Sequence, residues 1–142
     1  MRTPCPGLLC LSLVALTINV AVGDGRALAP VSFENDIKPL LTEKCVHCHN
    51  RKTLPDLFSF ESAKRAFVTL KSGQEVIVSG EPEKSLLIIA LNSPHGHEKA
   101  MPMVGPRPTE DDIELLTRWI EEGAEWPTGQ AGRIRPPFLA TE

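Results

Sequence analysis

Aromatic side chains are scarce in this chain of 142 residues, which has five Phe, two Trp and no Tyr. So few large side chains leave an ordinary core short of volume, which a bound apolar cofactor would supply. Cysteine is also sparse, four in all. Cys5 and Cys10 fall in the N-terminal segment, so the rest of the chain holds only Cys45 and Cys48 and has no disulfide framework. Positive charge is not in excess: fifteen Lys+Arg against eighteen Asp+Glu give -3, which excludes sequence-wide attraction to nucleic acid or an anionic membrane. No internal repeat is visible. At 42% apolar and 23% charged, the chain suits one small globular domain.

Met1-Arg2-Thr3 leads into an uncharged run from Gly7 to Val22. The run is shorter than the roughly 20 residues of a membrane span. Small residues follow at Ala21-Val22-Gly23 and Ala27-Leu28-Ala29. This is the pattern of a secretory signal peptide over residues 1–29, cleaved after Gly23 or after Ala29. Gly7-Leu8-Leu9 before Cys10 does not suit a lipoprotein site, so membrane association is expected only if the segment is retained as an anchor. Export implies a periplasmic or other extracytoplasmic location. Loss of Arg2, Asp24 and Arg26 leaves thirteen basic and seventeen acidic residues, about -4, so the mature chain stays acidic.

Between Ser32 and Lys44, the spacing of Phe33, Ile37, Leu40 and Leu41 predicts an amphipathic helix. Pro39 requires either a start near Asn35 or Asp36 or a kink. Residues 50–56 read as loop. Ala63, Ala66, Phe67 and Leu70 predict a second helix over Glu61 to Leu70, stopped by Ser72-Gly73. Pro82 opens a buried third helix whose apolar run is Ser85 to Leu91. A long loop rich in Pro, Gly, His and Met follows from Ser93 to Pro108. Thr109-Glu110-Asp111-Asp112 forms a capping-box pattern for a last helix over about Asp111 to Glu122, with Gly123 as its stop. The fold class expected is all-α, with a domain over 30–127 and a flexible tail over 128–142.

Cys45-x-x-Cys48-His49 has the spacing of a c-type haem attachment site. Two thiols so placed can add to the two vinyl groups, and the imidazole that follows is brought beneath the iron. Other readings remain. A zinc site would draw its further ligands from His47, His49, His95 and His97, nearly fifty residues apart in part, without a second close Cys pair. A dithiol redox pair would follow a strand in an α/β pattern, whereas here a helix precedes it.

Four motifs in order carry a family resemblance: Phe33 to Leu41 before the Cys-x-x-Cys-His pattern, Ser79-Gly80-Glu81-Pro82-Glu83-Lys84-Ser85-Leu86-Leu87, Met101-Pro102, and Trp119 to Pro127. Over about Val31 to Pro127 the chain resembles the planctomycete-type cytochrome c domain. The resemblance implies a small helical cytochrome c-like domain around one covalently attached haem c, with Cys45 and Cys48 in thioethers, His49 as proximal ligand and Met101 as distal ligand. Two departures stand out. Met103 follows Met101-Pro102 where the family has a second proline and competes with Met101 for the distal position, and Thr53 to Phe58 replaces a glycine-rich stretch.

The implied function is single-haem electron transfer between redox-protein donors and acceptors, without catalysis. The alternatives are a haem peroxidase or ligand sensor with an open distal position, for which His95 or His97 is the ready acid-base group, and a zinc-stabilised binding module. Trp119 is expected in the core or at the haem edge, and Trp126 at the end of the domain. His47 is expected to be exposed. Glu110 to Glu114 reads as helix capping rather than a binding cluster, and Arg133 with Arg135 is too small a basic pair to signal nucleic acid.

Overall fold

The computed structural model describes residues 29–137. The signal-like segment before Ala29 and the last five residues of the expected tail lie outside the described residues. Among the described residues the regular structure is helical and there is no β-strand, only an isolated antiparallel pairing of Thr69 with Glu75.

Ser32 opens the first helical path. Its Oγ accepts from the Asn35 N–H at 3.2 Å, while its own N–H donates to Asp36 Oδ2 at 2.8 Å, satisfying donors that the first turn leaves unpaired. Residues Phe33–Ile37 form a wide π-helical turn, and α1 (Lys38–Lys44) continues from it. The Lys38 N–H reaches back five residues to Phe33 O. Pro39, which has no N–H to give, stands in the first regular turn of α1, so the change of register falls where a hydrogen bond is missing in any case. The helical path therefore starts earlier than Asn35 and absorbs Pro39 by widening.

The expected second helix is corrected. Helix α2 covers only Ala63–Ala66, because Phe67 leaves the helical region at φ -89, ψ 75. The chain then doubles back through Gly73 (φ 83), with Leu70 N–H donating to Gln74 O and Val76 N–H to Val68 O. β-Branched Val68 and the Ser72-Gly73 turn override the helical spacing of Phe67 and Leu70.

Pro82–Lys84 is a separate 3₁₀ turn, and α3 follows as Leu86–Asn92. The buried Ser85 joins them: its hydroxyl accepts from the Val78 N–H at 2.9 Å and lies 3.1 Å from Glu81 O, to which it can donate. No helix or strand interrupts residues 93–108. Helix α4 spans Glu110–Glu121, with both halves of the capping box present: Thr109 Oγ1 accepts from Asp112 N–H, and Asp112 Oδ2 accepts from Thr109 N–H. Its acidic first turn lies at the positive end of the helix dipole.

Helix α4 packs against the N-terminal π turn, the 3₁₀ turn and α3. Leu116, Trp119 and Ile120 meet Phe33, Ile37 and Leu41 in the core. Phe33, Trp119 and Trp126 form an aromatic cluster with ring centroids 4.6 to 6.2 Å apart. The chain beyond Pro127 is corrected as well, since it folds back onto the domain at least as far as Ile134. Trp126 Nε1 donates to Gly132 O at 2.7 Å, Ile134 N–H donates to Glu61 O at 3.1 Å, and the Ile134 side chain is buried. A single buried isoleucine between exposed arginines gives too short a pattern to register as periodicity.

Candidate functional site

Helix α1 ends at Lys44, and the chain coils tightly through the Cys-x-x-Cys-His segment. Cys45 N–H and Val46 N–H both donate to Leu41 O, and His49 N–H donates to Cys45 O at 2.9 Å. Val46 enters the core with no exposed surface, which turns His47 and Cys48 outward and Cys45 and His49 inward. Asn50 locks the turn. It is fully buried, its Nδ2 lies 2.9 Å from Val46 O, His47 O and Thr53 Oγ1, and its Oδ1 accepts from Lys52 N–H and Thr53 N–H.

His49 and Cys45 face a partly enclosed cavity of about 230 Å³. Leu57, Phe58 and Phe60 come to it from the segment after the Cys-x-x-Cys-His turn, Leu86, Leu87, Ala90 and Leu91 from α3, and Met101, Pro102 and Pro108 from the long loop. Lys44, Gln74 and Lys99 supply the polar groups of an otherwise apolar lining. The Met101 N–H donates to Ala90 O at 3.1 Å, tying that loop to α3. At the loop's other end, Arg107 Nη2 donates to Leu91 O and to Ser93 O, satisfying carbonyls that the end of α3 leaves free.

Burial controls the chemistry of these groups. The His49 imidazole has its pKa lowered by desolvation, so the neutral, ligating form is favoured. Its ring stacks on Phe58 at 4.4 Å between centroids and meets Phe60 edge-on. His49 Nδ1 is buried without a hydrogen-bond partner, a costly state for a polar atom. The Cys45 thiol is pushed up to about 12, first by burial and then by the negative charges of Asp112 and Cys48. Cys45 and Cys48 are both free, the first buried and the second exposed.

Of the residues singled out from the sequence, Cys45, His49 and Met101 meet at the cavity. Cys48 lies on the adjoining surface and is not part of the lining. Met103 is 78% exposed and points away from the core, as does Val104. His47, His95 and His97 are exposed. Trp119 belongs to the core and does not line the cavity. Sequence reading missed Phe58, Phe60 and Asn50. The alternation Phe58-Ser59-Phe60 was the available signal for the two rings, which turn to the cavity and core while Ser59 hydrogen-bonds to Glu61.

Among the described residues, no three His, Cys, Asp or Glu side chains converge in a way that could hold a metal ion by themselves. Among them, too, no helix is long and apolar enough to cross a membrane. The chain matches no family model, no curated protein and no solved structure.

Proposed function

We propose that this protein is an exported, single-haem c-type cytochrome that carries electrons between redox proteins. The observation that carries the reading is the meeting of Met101, from a distant part of the chain, with Cys45 and His49 of one turn on a single apolar cavity. The donor set fits the group. Neutral imidazole and thioether are strong ligands for haem iron, two thiols in Cys-x-x-Cys spacing suit covalent attachment, and the unpartnered His49 Nδ1 marks a buried imidazole held for something other than internal hydrogen bonding.

Cys45 and Cys48 would hold the haem covalently, and His49 and Met101 would supply the imidazole and thioether to its iron. Bound there, the group supplies a one-electron ferric/ferrous couple. The chain's own part is positional. Asn50 fixes the turn that aims His49, and Phe58 holds the imidazole plane by stacking. The two ties from the long loop to α3 set where Met101 stands, and the leucine walls exclude water. Lys44 and Lys99 offer cationic donors to anionic substituents at the rim. Covalent attachment suits the extracytoplasmic location that the N-terminal sequence implies.

The zinc-stabilised module is disfavoured because the exposed His95 and His97 do not join the Cys45–His49 turn in a ligand cluster. Dithiol redox chemistry is disfavoured because Cys45 is buried with a raised pKa, opposite to an activated thiol. The test is the visible spectrum of the full chain exported from a host able to mature c-type cytochromes, together with its pyridine haemochrome after unfolding. A covalent c-type haemochrome and a low-spin ferric spectrum with the methionine–iron charge-transfer band are expected. A high-spin spectrum would instead assign an open distal position and a peroxidatic or ligand-sensing haem. Absence of covalent haem despite competent maturation would overturn the proposal.

A further inference from the structure

Arg51, Arg65, Arg133 and Arg135 are far apart in sequence, yet they line one groove of about 400 Å³. The pair Arg133 and Arg135 alternates with buried Gly132, Ile134 and Pro136, so the extended segment points both guanidinium-bearing residues outward. Its register is held by the bond from Ile134 N–H to Glu61 O. Arg51 stands two residues beyond His49 and is fixed to the same place, its N–H donating to Glu61 Oε2 at 2.8 Å. That carboxylate oxygen also accepts from Ser59 Oγ at 2.8 Å. Glu61 is the one acidic residue lining the groove, against four arginines. None of the four arginines enters an ion pair among the described residues. Arg51, Arg133 and Arg135 are exposed, and Arg65 is half-buried.

Such a cluster costs free energy through mutual repulsion, and nothing in the composition forces it, because the chain as a whole carries -3. We propose that this groove docks a carboxylate-rich segment of a protein partner. Arginine presents a planar fork that pairs bidentately with carboxylates, and four forks along one groove match several carboxylates better than a single small anion. A long polyanion such as nucleic acid is a poorer occupant. It would extend past the groove into the field of a chain that is acidic overall. A short acidic segment feels chiefly the arginines, since charges beyond about 10 Å are screened at 0.1 M salt.

The groove and the cavity are linked only through the walls of a third groove between them. Arg65 is shared with a neighbouring groove, and that groove shares Leu57, Phe58 and Leu70 with the cavity that His49 lines. The docking inference goes beyond the haem reading and does not require it, so the two fail separately.

The test uses the full chain, matured with haem and also produced without it, and a fluorescein-labelled oligoglutamate peptide whose anisotropy reports binding at low salt. Binding that weakens by about tenfold or more in Arg133→Gln/Arg135→Gln, and that high salt abolishes, is expected. The charge-matched Lys84→Gln/Arg118→Gln variant should bind as the unaltered chain does. Matching circular dichroism and urea midpoints establish that the arginine variant is folded, and Arg51→Gln provides a second, independent neutralisation. Equal binding by the arginine variants and the unaltered chain, or no binding at all, would overturn the proposal. So would displacement of the peptide by millimolar inorganic phosphate, or tighter binding of a single-stranded oligonucleotide, since either would make the groove a general oxyanion or nucleic-acid site.

Discussion

Asn50 offers the sharpest quantitative test of how the candidate site is held. Its side chain is fully buried, with Nδ2 within 2.9 Å of three acceptors and Oδ1 accepting from two backbone N–H groups. A primary amide has only two N–H hydrogens, so one is shared and the side chain makes about four effective hydrogen bonds. At about 1 kcal/mol net for each, with some of the freed backbone groups regaining water, Asn50→Ala should cost about 2–4 kcal/mol. Asn50→Asp separates packing from hydrogen bonding. It keeps the shape and the two acceptor bonds but turns a carboxylate oxygen toward Val46 O and His47 O, so it should cost at least as much as alanine. Urea unfolding of the isolated full chain, analysed with a common slope, reads both values. A loss below about 1 kcal/mol for Asn50→Ala, or an Asn50→Asp variant as stable as the unaltered chain, would refute the claim that this side chain fixes the turn. In protein matured with haem, the same variants should also raise the high-spin ferric fraction of the visible spectrum, because the turn that aims His49 is no longer fixed.

Thr109→Ala removes the hydroxyl half of the α4 capping box and should lower stability by about 0.5–2 kcal/mol, read by thermal or urea unfolding. Ile134→Ala should cost about 2–5 kcal/mol if the segment beyond Pro127 is part of the core; a cost near zero would return that segment to the status of a tail. In matured protein, Met101→Ala should abolish the methionine–iron charge-transfer band while Met103→Ala preserves it, and the reverse result would exchange their roles. In chain produced without haem, neutral-pH alkylation followed by peptide mass analysis should mark Cys48 before Cys45. Cys45 should react only on unfolding, because its thiol is buried and its pKa is pushed up to about 12.

Some of this architecture was written in local pattern. Thr109 with Asp112 specified the start of α4 because a capping box depends on residues three apart, and Ile113, Leu116 and Ile120 specified the buried side of that helix by spacing alone. The all-α class followed from the same kind of signal. Local pattern misled at Phe67 and Leu70, whose helical spacing was outweighed by the turn at Gly73 and the pairing of Val68 with Val76. The widened turn before Pro39 was also beyond reach, because a late start and a kink satisfy the missing N–H equally well in sequence terms.

The sequence by itself determined which atoms are available for chemistry: two thiols and an imidazole at fixed spacing, and two methionine thioethers in a long loop. Only the tertiary structure decided which of them share a space. Met101 lines the cavity and Met103 faces water because the loop is tied to the end of α3 through Ala90 O, Leu91 O and Ser93 O, contacts between residues up to sixteen apart that no periodicity encodes. The same holds for Arg51, Arg65, Arg133 and Arg135. Each was an ordinary surface charge in the sequence, and the burial of Ile134 brought the last two beside the first two. Spacing governs what neighbours along the chain can do together, whereas the burial of apolar surface, which has no direction along the sequence, sets which distant groups become neighbours.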